Sequence, residues 1–345
     1  MGMANRRVRR VLLLLAVIAG AAVLYWVVWH PKRDALVVYC SHDSVYAKSI
    51  LDDFERQTGI PVRVAYDTEA TKSLALVDRI IREKDAPQCD VLWNNELLGT
   101  VDLKDRGLLQ PYMGDGFARI PDAYKDPEGC WAGFGARLRV WIVNTDKLQA
   151  TQEAIDKALA DDLSRVAIAK PLYGTTLTQY AALWKAWGPE GLKAWHRDWR
   201  ARRVCEVNGN AAVRDLVAGG VCSLGLTDTD DYFGAVDAKK PVAALPVRLP
   251  GGKATICIPN TASIIRGTRR EADARRLVDY LLSAECELAL ARSKARQIPL
   301  GAVAQDQVPA EVLEMMAWAQ DGAPLGGLGP ARAECLDWLK SEYAE

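Results

Sequence analysis

The chain has 345 residues, with 44 basic and 44 acidic side chains, so its formal net charge is zero. That balance argues against a polyanionic partner, and no nucleic acid is expected. Half of the residues are apolar and 26% are charged, which fits one large or two ordinary folded domains and excludes a disordered chain.

The first thirty residues stand apart. Arg6, Arg7, Arg9 and Arg10 precede an uncharged stretch, residues 11–29. That stretch is long enough to span a bilayer, and Tyr25, Trp26 and Trp29 at its end suit the membrane interface. Residues 1–33 are therefore expected to be a signal anchor, with a cleaved signal peptide as the alternative. With the arginines held inside, the rest of the chain lies in the periplasm or otherwise outside the cytoplasmic membrane, tethered to it by the N-terminal helix. Such a compartment permits disulfides. Eight cysteines are present: Cys40, Cys89, Cys130, Cys205, Cys222, Cys257, Cys286 and Cys335. No CxxC spacing occurs, so no structural zinc site is expected. Cys40 and Cys89 end and begin two candidate strands, and Cys205 and Cys222 flank one helix; the pairing stays open.

Residues 36–40 read as a buried strand that enters the polar turn Ser41-His42-Asp43-Ser44. A helix over 45–57 follows, with Ala47, Ile50, Leu51 and Phe54 at helical spacing. The pattern repeats twice. Strand 60–66 leads through Asp67–Ser73 into a helix bearing Leu74, Val77, Ile80 and Ile81. Strand 89–93 ends in Asn94-Asn95-Glu96 before Leu97, Leu98 and Val101. Three strand–turn–helix units make a parallel α/β sheet with all three turns on one edge, where open sheets bind ligands. Residues 131–144 are a long crossing strand, and the rhythm then restarts. Strand 165–169 leads to a helix opened by Gly174-Thr175-Thr176, and a basic helix covers 191–202. Strand 204–207 leads to Asn208-Gly209-Asn210 and helix 211–218. Strand 221–226 runs into an acidic loop, Thr227 to Tyr232. A second crossing run, 254–265, returns the chain, and helices over 272–283, 286–293, 308–320 and 332–343 complete it. The expected organisation is lobe 1 over 34–140, lobe 2 over 141–254, and a return to lobe 1 with terminal helices over 255–345. A ligand cleft lies between the lobes.

The order of several short pieces resembles the extracellular solute-binding proteins of ABC importers, in the branch that includes periplasmic ferric-ion-binding proteins. The pieces are Val38-Tyr39 with His42, Phe54-Glu55-Arg56-Gln57-Thr58-Gly59-Ile60, and Asp90-Val91-Leu92-Trp93 with Glu96. Gly107 to Tyr112, Gly135 to Val140, Asn144-Thr145, Ala169-Lys170-Pro171, Asn208-Gly209-Asn210, Pro259-Asn260-Thr261 and Gln297 to Leu300 follow. The resemblance covers residues 35–302. It implies a type II periplasmic-binding fold of two α/β lobes that closes on a small solute and docks on a membrane permease. It also implies a monomer that needs no cofactor beyond a metal ion bound as ligand. In ferric-binding members an adjacent tyrosine pair of the second lobe holds the metal, joined by a His and a Glu of the first lobe. His42 and Glu96 fall on the first-lobe positions. The tyrosine pair is replaced by Asp230-Asp231, with Tyr232 next.

Two ligand chemistries fit these residues. Asp228, Asp230 and Asp231 crowd one stretch, and Glu69 and Glu96 are placed to face it. Such carboxylates repel one another unless a cation joins them, so a metal ion or an amine-bearing solute is expected, with His42, Glu96, Asp230 and Asp231 as metal ligands. Conversely, the helix N-termini at Ser41–Ser44, at Thr71 and Lys72, and at Thr175 and Thr176 suit a phosphonate or sugar phosphate. Arg137 and Arg139 share one side of the crossing strand; they serve that anion or pair with the acidic stretch. Asn208 and Thr227 flank the site, and Trp93 is a wall or stacking residue. Trp184, Trp187, Trp195 and Trp199 are expected in the second-lobe core, and His196 on the surface. Ser41-His42-Asp43 are sequence neighbours and make no catalytic triad. No hydrolase or nucleotide motif occurs, so the chain is read as a binding protein rather than an enzyme. A membrane-anchored ligand sensor is the alternative of another class, ahead of a hydrolase.

Overall fold

The computed structural model describes residues 35–67, 75–252 and 254–344. The apolar stretch 11–29, and Glu69, Thr71 and Lys72, lie outside the described residues. Among the described residues no helix is long and apolar enough to cross a membrane.

The chain begins with β1 (Leu36–Cys40), α1 (Ser44–Thr58), β2 (Val62–Tyr66), α2 (Ala75–Arg82), β3 (Val91–Asn94), α3 (Leu98–Asp105), β4 (Leu109–Gln110) and α4 (Asp115–Arg119). Next come β5 (Ala132–Asn144), α5 (Gln152–Ala160), β6 (Val166–Ala169), α6 (Gly174–Ala201), β7 (Cys205–Val207) and α7 (Asn210–Ala218). They are followed by β8 (Leu224–Asp228), α8 (Thr229–Asp237), β9 (Val242–Pro246) and β10 (Cys257–Ile265). The helices α9 (Glu271–Leu281), α10 (Ala284–Arg292), α11 (Ala310–Ala319) and α12 (Gly329–Glu342) close the chain. Helix α1 forms as its spacing predicts: Ala47, Ile50, Leu51 and Phe54 are its buried face, and Gly59 ends it at φ 69°, donating its N–H to Glu55 O at 2.8 Å. Each large apolar side chain on such a face contributes about 1.5–3 kcal/mol by burial.

The strands form one sheet in the order β2-β1-β3-β10-β5-β8-β6-β7, with β4 also on β10 and β9 also on β5. β1 is parallel to both β2 and β3, placing Val38 between Val64 and Val91. The two crossings make the two lobes. The first part of β5 pairs antiparallel with β10, from Ala132↔Ala262 to Leu138↔Cys257. From Arg139 onward β5 pairs with β8, and from Val140 with β9. β6 then runs parallel to both β7 and β8. All residues of β5 and β10 are buried, as both faces of a central strand in a covered sheet must be. At Gly225 of β8 an added Cβ would lie 2.6 Å from Val213 of α7; the bare glycine lets α7 lie directly on the sheet.

Several expectations change. The acidic stretch 227–232 is a strand–helix junction rather than a loop: Thr227 and Asp228 end β8, and Asp230 and Asp231 stand in the first turn of α8. The strand extends because Arg139 lies opposite Asp228 in register and pairs with it. The two helices expected after Gly174 are one run, broken at Gly188 (φ 74°, ψ 167°) before Pro189. The edge strand β9, half-buried along its length, gave no alternating pattern to read. His196 is fully buried rather than on the surface: its Nδ1 meets the Tyr180 hydroxyl at 3.0 Å, and Trp338 and Tyr343 meet it edge-on. Burial foremost, then Arg200, lowers its pKa to about 4. Trp184 and Trp199 are buried as expected, but Trp187 is 37% exposed. All eight cysteines are present as thiols, and all but Cys205 are buried.

Candidate ligand cleft

Where the turn after β1 faces the start of α8, a cavity of about 240 Å³ opens between the lobes. Lobe 1 contributes His42, Asp43, Tyr46 and Asn95. The crossing strand contributes Arg137, and lobe 2 supplies the rest of the wall. Four carboxylates (Asp43, Asp228, Asp230, Asp231) and three cations (Arg137, Lys170, Arg214) share this small space.

The second-lobe wall is built from three helix starts. Thr175 and Thr176 open α6, Asn210 opens α7, and Asp230 and Asp231 lie in the first turn of α8. Asp228, at the tip of β8, is fully engaged. Its Oδ1 accepts from Arg139 Nη1 at 2.8 Å; its Oδ2 accepts from Thr175 Oγ1 at 2.5 Å and Asn210 Nδ2 at 2.9 Å, with Arg137 Nε at 3.5 Å. Arg139 is wholly buried, and Gln179 Oε1 accepts from its Nε at 2.8 Å. Asp228 thus serves as counter-ion to two arginines, which is how a buried charge is held.

Asp230 and Asp231 differ. Together with Asp228 they offer oxygens within 4.8 Å of one another. Thr227 donates to Asp231 at 3.0 Å, and Arg214 lies 3.5 Å from it. Burial, then the charges of Asp230 and Asp228, hold the Asp231 carboxyl well above the usual range. For Arg137 burial pulls the pKa down, but Asp230 and Asp228 outweigh it and raise the pKa. Arg137 Nη2 also donates to Asn95 O at 2.6 Å, joining the crossing strand to lobe 1. Tyr46 faces the same acids: burial first, then Asp230, Asp43 and Asp231, raises its hydroxyl's pKa.

Of the residues expected at the site, His42, Arg137, Thr175, Thr176, Asp228, Asp230 and Asp231 line this cavity. The others do not. Ser41 is spent within lobe 1, donating to Asn94 Oδ1 at 2.7 Å and accepting from Asn95 N–H at 3.2 Å. Ser44 is exposed. Trp93 is fully buried behind His42, stacked on it at 5.4 Å between centroids, and donates to Asn260 at 3.3 Å. Glu96 accepts the N–H groups of Leu98 at 2.6 Å and Gly99 at 2.7 Å; its carboxylate caps α3 rather than facing the cavity. Asn208 is exposed, and Asn210, two residues on, takes the wall position. Thr227 is buried and holds Asp231. Tyr232 packs against Phe233 at 5.1 Å, in the apolar layer under α8.

Sequence reasoning missed Asp43 and Tyr46 on one side, and Lys170, Tyr173, Asn210 and Arg214 on the other. A readable signal existed for two of them. Tyr46 lies in the first turn of a helix that follows a parallel strand, on the edge where ligands bind. Arg214 stands one turn beyond Asn210 on the same face of α7.

A two-lobed α/β fold with two crossing strands and a charged cleft between the lobes is that of a binding protein that holds a small solute between its lobes. The chain belongs to the family of bacterial extracellular solute-binding proteins, whose family model matches residues 36–293. One relative is Iron uptake protein A1 of Synechocystis sp., 25% identical over 86% of this chain and 82% of that protein. Solved structures share the fold. Iron-bound HitA from Pseudomonas aeruginosa superposes with a TM-score of 0.75 at 21% identity, over 89% of this chain and 98% of that one. AfuA from Actinobacillus pleuropneumoniae, with fructose-6-phosphate bound, gives 0.70 at 18% identity, over 90% and 99%.

Proposed function

We propose that this protein captures ferric iron outside the cytoplasmic membrane and delivers it to an ABC permease, as a binding protein and not an enzyme. The observation that carries the proposal is the Asp230–Asp231 pair: two partly buried carboxylates, side by side on the wall of the cleft, whose charges oppose one another. Asp228 is already balanced by Arg137 and Arg139, and the negative charge crowded beside it at Asp230 and Asp231 favours a guest cation. Hard oxygen donors suit a ferric ion. His42 and Tyr46 face the pair from lobe 1, so the phenol comes from the opposite lobe to the tyrosine pair that Asp230-Asp231 replaces. The name of the Synechocystis relative supports the same cargo. Lobe closure brings these donors together, and affinity arises from contacts made only in the closed state. Residues 1–33 tether the protein to the membrane, and the chain works as a monomer.

A second reading, a sugar phosphate, is favoured by one observation. The starts of α6 and α7 open onto the cavity beside Lys170 and Arg214, an arrangement that suits an anion. Thermal shift on the apo protein separates the two. A ligand that binds only the folded state at a hundred times its Kd adds about 2.7 kcal/mol. Ferric nitrilotriacetate is expected to raise the Tm of the wild type and to leave Asp230→Ala unmoved. A rise with fructose 6-phosphate and none with iron overturns the proposal. Membrane fractionation of cells with and without residues 1–33 tests the tether.

A further inference from the structure

Two thiols of lobe 2 meet at the foot of the strands whose other ends carry the cleft wall. Cys205 starts β7, and Cys222 lies just before β8. The two strands flank β6, where Ala167 pairs with Cys205 on one side and Gly225 on the other. The thiols share a hydrogen bond. Both belong to one apolar cluster with Ala167, Val213 and Val217. Cys222 is 1% exposed, whereas Cys205 is partly exposed. The chain between them carries Gly209, Asn210, Ala211 and Arg214, all on the cavity wall. Cys40 and Cys89 offer no such pair. Cys40 lies opposite Trp93, and Cys89 is four residues further back along that neighbouring chain, well beyond the Cα separation a disulfide spans.

We propose that Cys205 and Cys222 form a disulfide in the exported protein, a cross-link that fixes α7 and its ligand-facing residues to the sheet. The compartment outside the cytoplasm is oxidising. The oxidant is a disulfide-bearing protein or small disulfide of that compartment. The thiolate of the reachable Cys205 attacks its disulfide, forming a mixed disulfide and releasing one thiolate. The Cys222 thiolate then attacks the Cys205 sulfur and expels the oxidant's second thiolate. The two cysteines lose two electrons and two protons, and the oxidant leaves as two thiols. Tying this segment restricts the unfolded chain and holds the loop that bears Asn210 in place.

The test uses the full chain exported from a bacterial cytoplasm, quenched in acid, denatured and alkylated before and after reduction, with peptide mapping by mass spectrometry. Cys205 and Cys222 are expected to resist alkylation until reduced, and to appear as one linked peptide pair. Reduction is expected to lower the Tm by about 5 °C, and Cys205→Ser/Cys222→Ser to abolish that sensitivity to reductant. Alkylation of both residues without reduction overturns the proposal, as does a link from either one to another cysteine. The mapping needs no variant, so a double variant that fails to fold leaves the test intact.

Discussion

Two strand–helix junctions face each other across the cleft, β1 into α1 and β8 into α8, and they are built on opposite principles. In the first, polar groups satisfy one another inside the lobe. Ser41 is hydrogen-bonded to Asn94 and Asn95, and His42 lies on the Trp93 ring. In the second, charge is concentrated. Asp228 is neutralised from behind by Arg139, but Asp230 and Asp231 repel one another at the cavity. The first junction ties its polar groups down through Ser41 while presenting His42 and Tyr46 to the cavity; the second sets two carboxylates, Asp230 and Asp231, side by side there. The same local motif is thus hydrogen-bonded inward on one side and left charged at the cavity on the other.

The largest effect that sharpens this contrast comes from the charge-balancing layer. Asp228→Ala leaves Arg139 buried without a counter-ion and is expected to cost about 3–5 kcal/mol in denaturant unfolding. A loss under 1 kcal/mol would show that Asp228 is not the arginine's counter-ion. Next is a titrating group of the same lobe away from the cleft. His196 has its pKa lowered to about 4, chiefly by burial. The unfolded chain therefore binds a proton that the folded one refuses. Stability is full above about pH 6.5 and falls by about 3 kcal/mol as pH drops towards 4. His196→Gln is expected to flatten that acid slope in a series of melting curves; an unchanged slope would assign it to other groups.

A smaller effect has the opposite sign. Asp231→Asn replaces the carboxyl whose ionisation burial, Asp230 and Asp228 oppose up to about pH 8, and is expected to raise apo stability by about 1 kcal/mol above that pH while weakening iron binding at least tenfold. A destabilised variant would mean that the Thr227 and Arg214 contacts outweigh the repulsion. Smallest is Ser41→Ala, at about 1 kcal/mol of stability with ligand affinity unchanged. A large loss of affinity there would break the distinction between the two junctions.

The fold was legible because its signals are local. Ala47, Ile50, Leu51 and Phe54 mark a helix by spacing alone, and the uninterrupted apolar ends of β5 and β10 announce buried crossing strands. The acidic residues were legible by crowding. Glu96 was misplaced because a carboxylate near a helix start satisfies that helix's own N–H groups as readily as it faces a ligand, and nothing in the local sequence separates the two. Asn210, Arg214 and Tyr46 were missed because three helix starts, far apart in the chain, converge only through the strand order. Cys205 and Cys222 flanked a helix in sequence, but only the packing of that helix on the sheet shows that their thiols meet.

The central claim is that Asp230 and Asp231 hold the guest cation. The most direct measurement is calorimetric titration of ferric nitrilotriacetate into the apo wild type and into Asp230→Asn/Asp231→Asn. The account predicts one ferric ion bound per wild-type chain, and none by a double variant that melts no lower than the wild type. Iron binding by the double variant at wild-type affinity would contradict it.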